Sequence, residues 1–372
     1  MNFLTLFQDE EGEIVFDIGK TNKKNSTWYD ETTKLSAYWK EKTKLRICTN
    51  ITELPHKIPK PVEEFNIPLL KSSLQKAVRR KKSQAAVNLA WQLISQDISE
   101  FLRRFPIIIL EDSVLHPNFS NIIWMMIADS KGWKLRKNQI KLLLETVYQI
   151  SSCEYREYLH YENEEFSNPV YETKNHLLAS IILRINYGGM KGDQEFMKRI
   201  VMMWLKRFEK DEKTWRNSFE LIFQKIPNEI QTEIESLIEK KCLLLDKHKL
   251  NEGIDFHVFP KLILDFIKIQ SEKRKILSKE DVQSLVWYHR SGISFKKYIT
   301  KKENLLEIEL QDFYESDDKL DSFKRWKEIE KDWIDICSDK FWNCIEREEE
   351  DKSKSKKVKL SSHKITDFFK FK

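Results

Sequence analysis

The chain has 372 residues, 40% hydrophobic and 33% charged, with a formal net charge of +6 and only 8 Gly and 9 Pro. That length is enough to bury a large core in one or two domains, and so little turn chemistry excludes a sandwich or barrel of many short strands and favours long helices. All of the excess charge lies between Asp351 and Lys372, so residues 1–350 are formally neutral, which excludes a strongly basic nucleic-acid groove over the whole protein.

In chain order, residues 2–7 and 14–19 read as two short strands joined by an acidic turn that contains Gly12. Gly19-Lys20-Thr21 resembles the end of a phosphate loop, but the position where such a loop needs its first glycine is Ile14. Without that glycine there is no row of backbone N–H groups to hold phosphates. Trp28, Tyr29, Tyr38 and Trp39 precede a strand at 45–48; they suit either a small β core or base stacking. Pro55, Pro59, Pro61 and Pro68 mark a linker. The expected organisation is a β-containing module over 1–54, a Pro-rich linker over 55–68, a helical domain over 69–346 and a disordered tail over 347–372. A subdivision of the helical domain would fall near 188–192 or 271–278.

From Leu69 the apolar period becomes helical, with Leu70, Leu74, Ala77 and Val78 on one face. Lys76, Arg79, Arg80, Lys81 and Lys82 crowd the remainder and are candidate nucleic-acid contacts. A second helix has Ala86, Leu89, Ala90, Leu93, Ile94, Ile98, Phe101 and Leu102 at core spacing, with Asp97 placed to cap its second half. Ser73 to Arg79, Ala85-Ala86-Val87, Ala90, Leu93, Asp97, Arg103-Arg104 and Glu111-Asp112 form a pattern similar to the start of the helical C-terminal region of RarA/Mgs-type ATPases. Those are relatives of clamp loaders, in which the region follows the motor and mediates oligomerisation. No Walker A loop lies upstream here, and Pro106 interrupts what would be one helix, so the resemblance implies a motorless relative, without ATP turnover and compatible with a homo-oligomer.

Glu111-Asp112 invites a metal-binding or acid–base reading, but adjacent helical positions diverge by about 100°. Pairing with Arg103 or Arg104 to orient two helices is the favoured role. Ile122 to Ile127 is apolar on most sides and belongs at the centre of the core. Further helices are expected at 138–151, 174–187, 194–208, 214–225, 228–247 and 258–270, with Gly188 to Gly192 as a helix–helix loop, and a last aromatic helix at 318–346. Asp255 with His257, and Trp287 to Arg290, are weaker candidates for catalysis and for partner contact.

The eight histidines are dispersed and form no H-x-x-x-H, and Cys48, Cys153, Cys242, Cys337 and Cys344 form no C-x-x-C. The expectation is no metal, no cofactor, reduced intracellular thiols and no membrane segment. The tail carries the sharpest signals. Lys356, Lys357 and Lys359 have the spacing of a nuclear import signal read by an importin. Ile365, Phe368 and Phe369 stand at i, i+3 and i+4, so one helical turn presents all three on one side. This ending resembles the PCNA-interacting peptide, with Ser362 where that family usually has Gln. The resemblance implies a nuclear, non-catalytic adaptor in DNA replication or repair, bound to the sliding clamp and touching DNA through basic patches. The alternatives are a nuclease-like enzyme delivered by the same tail and a structural helical protein whose tail packs on itself.

Overall fold

A four-stranded sheet and seven helices make up the residues that the computed structural model describes, which are 3–18, 26–35, 43–65, 67–155, 175–223 and 225–239. The fold is mainly α, a helical array preceded by a small β module. The expectations for Gly19 to Thr21, Tyr38, Trp39, Asp255 with His257, Trp287 to Arg290, the helices beyond 239 and the tail lie outside the described residues.

Strands β1 (Phe3–Gln8) and β2 (Ile14–Ile18) form an antiparallel hairpin. Asp9 closes it by accepting from the amide of Glu13 through Oδ1 at 2.7 Å, and Gly12 supplies the positive φ of 87° that a side chain would strain. β3 (Trp28–Leu35) and β4 (Thr43–Thr49) complete the order β2-β1-β4-β3, with β1 and β4 parallel at the centre. Leu4, Leu6, Leu45 and Ile47 face inward and belong to the same buried cluster as the helices. The sheet therefore has no core of its own. β3 has no clear alternation because its register with β4 shifts between Glu31 and Lys34, and as an edge strand it carries charged side chains that deter further pairing.

The proline-containing segment 50–65 has no regular structure, yet it is strapped to the helices. The amide of His56 donates to the Leu135 carbonyl at 2.9 Å, Gln92 Nε2 donates to the Glu63 carbonyl at 2.8 Å, and Gln96 both donates to and accepts from the backbone of Phe65. Ile51, Ile58 and Phe65 pack on the core beneath these bonds.

Helix α1 (Ile67–Arg79) starts with Pro68 in its first turn, where a missing N–H costs nothing. It buries Leu70, Leu74, Ala77 and Val78, the predicted face. It ends with Lys81 at φ 58°, closed by bonds from Lys82 to Ala77 and from Lys81 to Val78. α2 (Ser83–Asp112) leaves helical geometry at Asp97 (φ −155°, ψ 92°), whose Oδ1 accepts from the Glu100 amide at 3.0 Å. The chain reverses there. Gln96 and Glu100 both meet the start of α1, at Phe65 and Lys71, whereas Arg79 at its other end meets Asp112. Contrary to expectation, Pro106 does not break the helix; the second half runs through it, and the interruption lies at the capping aspartate nine residues earlier.

α3 (Phe119–Ser130) is buried from Phe119 to Ala128, with Trp124 donating to the Cys48 carbonyl of β4 at 3.2 Å. Trp28 packs against Trp124 and Trp133 at 6.2 and 5.3 Å between ring centroids, so it builds core and is not free to stack on bases. α4 (Lys137–Ser152), α5 (His176–Asn186), α6 (Lys191–Ile222) and α7 (Asn228–Glu239) follow. α6 repeats the device of α2. At Asp211 (φ −162°, ψ 86°) it turns back, and the aspartate caps the second half through the Thr214 amide at 2.9 Å. A straight helix would separate Trp204 and Phe219 by about 22 Å, but their rings lie 5.6 Å apart.

Asp97→Ala removes the cap on which the α2 reversal depends. It is expected to lower unfolding free energy by about 1 kcal/mol in urea titrations.

Candidate functional site

The two polar centres of the described residues are an ionic cluster at the end of α2 and a cleft at the start of α3. Glu111 and Asp112 close α2 inside the protein, where a carboxylate survives only if charge and hydrogen bonds replace water. Arg79 Nε meets Asp112 Oδ1 at 2.5 Å, and Gln75 Nε2 donates to Glu111 Oε2 and Asp112 Oδ2, both at 2.8 Å. Arg104 donates to Gln75 Oε1 and stands 3.7 Å from Glu111 and 3.8 Å from Asp193 of α6. One cluster thus joins α1, the middle and end of the second half of α2, and α6. Burial, with the Asp112 charge beside it, pushes the Glu111 carboxyl up to about 7 against the pull of Arg104 and Arg79.

The carboxylate pair is therefore locked by arginines, as expected, with Arg79 the main partner. Arg104 takes part; Arg103 does not, being 61% exposed and 3.8 Å from Glu100. The basic stripe of α1 needs correction. Lys76, Arg79 and Arg80 are buried, Arg79 against the terminal carboxylates of α2, Lys81 is half-buried, and Lys82 alone of the five is exposed. The clamp-peptide residues Ser362, Ile365, Phe368 and Phe369 and the import lysines Lys356, Lys357 and Lys359 lie outside the described residues.

The cleft has a volume of about 460 Å³ and lies where the β1–β2 hairpin, the α2–α3 loop and the ends of α4, α5 and α6 meet. His116 and His176, sixty positions apart, line the same wall, a juxtaposition that their dispersal in sequence concealed. His116 is fully committed: Nδ1 accepts from the Asn118 amide at 3.0 Å, Nε2 bonds Gln149 Oε1 at 3.2 Å, and the ring packs 4.3 Å from Phe223. Burial lowers its pKa to about 3, so the ring is neutral. His176 lies 5.1 Å from Phe16, and burial, with Arg216 nearby, lowers its pKa too. Arg216 is held by Glu212 at 2.7 Å.

Behind the cleft runs a relay of side-chain amides. Gln139 Oε1 accepts from the Trp133 indole at 3.1 Å and the Arg136 amide at 3.0 Å, both pure donors. Its Nε2 must then donate to Gln8 Oε1, at 2.6 Å, and Gln8 Nε2 to Asn121 Oδ1, at 3.0 Å. Every amide in the chain is oriented from its far end. Asn121 and Asn118 were not singled out from the sequence. The available signal was His116-Pro117-Asn118-Phe119-Ser120-Asn121, a cluster of helix-start residues ahead of an apolar run.

Comparison with family models, with curated proteins and with solved structures finds no match. Among the described residues, no group of three or more His, Cys, Asp or Glu is placed to hold a metal ion.

Glu111 and His116 give opposite pH signatures. Glu111 binds its proton more tightly when folded, so its stabilising contribution is complete below pH 4.5 and is lost as pH rises toward 7. His116 binds its proton less tightly when folded, so its contribution is complete above pH 6.5 and is lost as pH falls toward 3. Urea midpoints measured across this range are expected to lose the first dependence in Glu111→Gln and the second in His116→Gln.

Proposed function

We propose that this chain is a non-catalytic accessory factor of DNA replication or repair, recruited to a PCNA-like sliding clamp by its tail and carried into the nucleus by an importin. The observation that carries the reading is the spacing of Ile365, Phe368 and Phe369, a three-pronged apolar plug on one helical turn amid lysines. Ser362 replaces the usual Gln, which removes one polar contact and makes the apolar prongs the main source of affinity. Lys356, Lys357 and Lys359 sit just ahead of the plug, and import and clamp binding both use an extended, accessible chain.

The body supports an adaptor over a nuclease-like enzyme for a specific reason. The carboxylates that would have held a catalytic metal, Glu111 and Asp112, are buried and engaged by Gln75, Arg79 and Arg104. A metal would have to displace two guanidinium groups in the interior, at a cost of several kcal/mol each.

Removing residues 362–372 is expected to abolish capture by immobilised PCNA while leaving the circular dichroism of the body unchanged; retained capture overturns the reading. Phe368→Ala with Phe369→Ala in the intact chain is expected to weaken clamp binding about thirtyfold or more by calorimetry.

A further inference from the structure

Asn118 and Asn121 stand three apart at the start of α3, so both face the cleft that they line. The amide relay turns the oxygen of Asn121 toward Gln8, which leaves its Nδ2 directed at the cleft with no partner among the described residues. Asn121 as a whole is only 8% exposed, yet this Nδ2 is not among the fully buried unpaired atoms, so it is open to the cleft that Asn121 lines. Asn118 is oriented just as firmly. Thr146 spends its single hydroxyl proton on the Leu142 carbonyl at 2.8 Å, so it can only accept from Asn118 Nδ2, at 3.1 Å. Asn118 Oδ1 is left open, because this side chain, although it precedes the helix, does not cap it.

One helical turn therefore presents a fixed acceptor beside a fixed donor, each backed by a separate hydrogen-bond network. Phe219, Phe223, His116 and His176 contribute aromatic rings to the walls around the pair. The volume falls within the range of about 300–1,000 Å³ that accommodates small planar ligands. Charge decides what is not read here. Glu13 and Glu220 line the cleft, and Arg216 is already neutralised by Glu212, so phosphate is disfavoured.

We propose that this cleft is a nucleobase site, in which Asn121 Nδ2 donates to a ring nitrogen or carbonyl of the base and Asn118 Oδ1 accepts from the neighbouring N–H. A base offers an adjacent donor and acceptor on one edge together with a flat face for aromatic walls. A primary carboxamide, such as a glutamine side chain, offers the same edge but leaves the aromatic walls unused. Two sources offer such a base, a free nucleoside and a strand whose base is splayed out. The site is independent of the tail, and either assignment can fail alone.

The test is ligand-detected saturation-transfer NMR on the full chain with adenosine, guanosine, cytidine and uridine, followed by titration with a mixed-sequence single-stranded oligonucleotide. Asn121→Asp keeps the bond from Gln8 but replaces the donor with a charged acceptor, and is expected to weaken binding about tenfold or more. Asn118→Ala removes the acceptor and decides the matter by itself if thermal melting shows the first variant unfolded. Binding of nucleosides that depends on these asparagines identifies a small-molecule site, and binding of the oligonucleotide alone with the same dependence identifies a strand. No binding by either class, binding that neither variant alters, or binding to acetamide in place of nucleosides overturns the proposal.

Discussion

A polar group that folding removes from water is costly unless it finds a partner inside the protein, and this requirement fixes how several elements of the molecule are placed. Leucine and isoleucine faces tolerate some sliding, since their attraction is non-directional. An amide wedged between an indole N–H and another amide has one orientation. Gln139, Gln8 and Asn121 form such a chain, and it ties α4 to the central strand of the sheet and then to α3. The ionic cluster does the same on the other side of the body, where Asp112 has no exposure at all and is satisfied only if α1 lies alongside α2 in one register.

The two networks differ in kind, and their consequences differ too. The ionic cluster is closed upon itself: donors and acceptors from Gln75, Arg79 and Arg104 converge on the two carboxylates and hold helices together. The amide relay is open at one end. Its last member, Asn121, is pinned by its oxygen and turned outward by its nitrogen. A helix start that would ordinarily be occupied with its own capping thus faces a cleft with its asparagine side chains available, while the capping of neighbouring α5 is supplied by Asn175 through the Leu177 and Leu178 amides.

The helical body was largely legible in the sequence because its signals are local. The face of Leu70, Leu74, Ala77 and Val78, the cap at Asp97 and the apolar run of α3 each depend on residues a few positions apart. Pro106 misled because a proline in a helix is a local penalty, and the packing of Phe101, Phe105 and Ile109 around it is not visible locally. The basic stripe of α1 misled for the same reason: whether Arg79 faces water or Asp112 is decided thirty-three positions away. β3 was missed because a register shift between Glu31 and Lys34 breaks the alternation that marks a strand. The cleft was illegible altogether, since His116 and His176 come together only through the packing of α3, α5 and α6.

The strap over residues 50–65 bears on how the chain can be divided. Its prolines suggest a natural seam, and a polypeptide begun at Ile67 would retain every described helix of the body. It would also lose Gln8, leaving the Gln139 and Asn121 amides without their common partner, and would lose the strand whose carbonyl receives the Trp124 indole. The inward face of α3, now covered by Leu4, Leu6, Leu45 and Ile47, would become a hydrophobic surface. Such a fragment would be sticky and short of hydrogen bonds, so the apparent seam is a suture and the first fifty residues are the lid of the helical core.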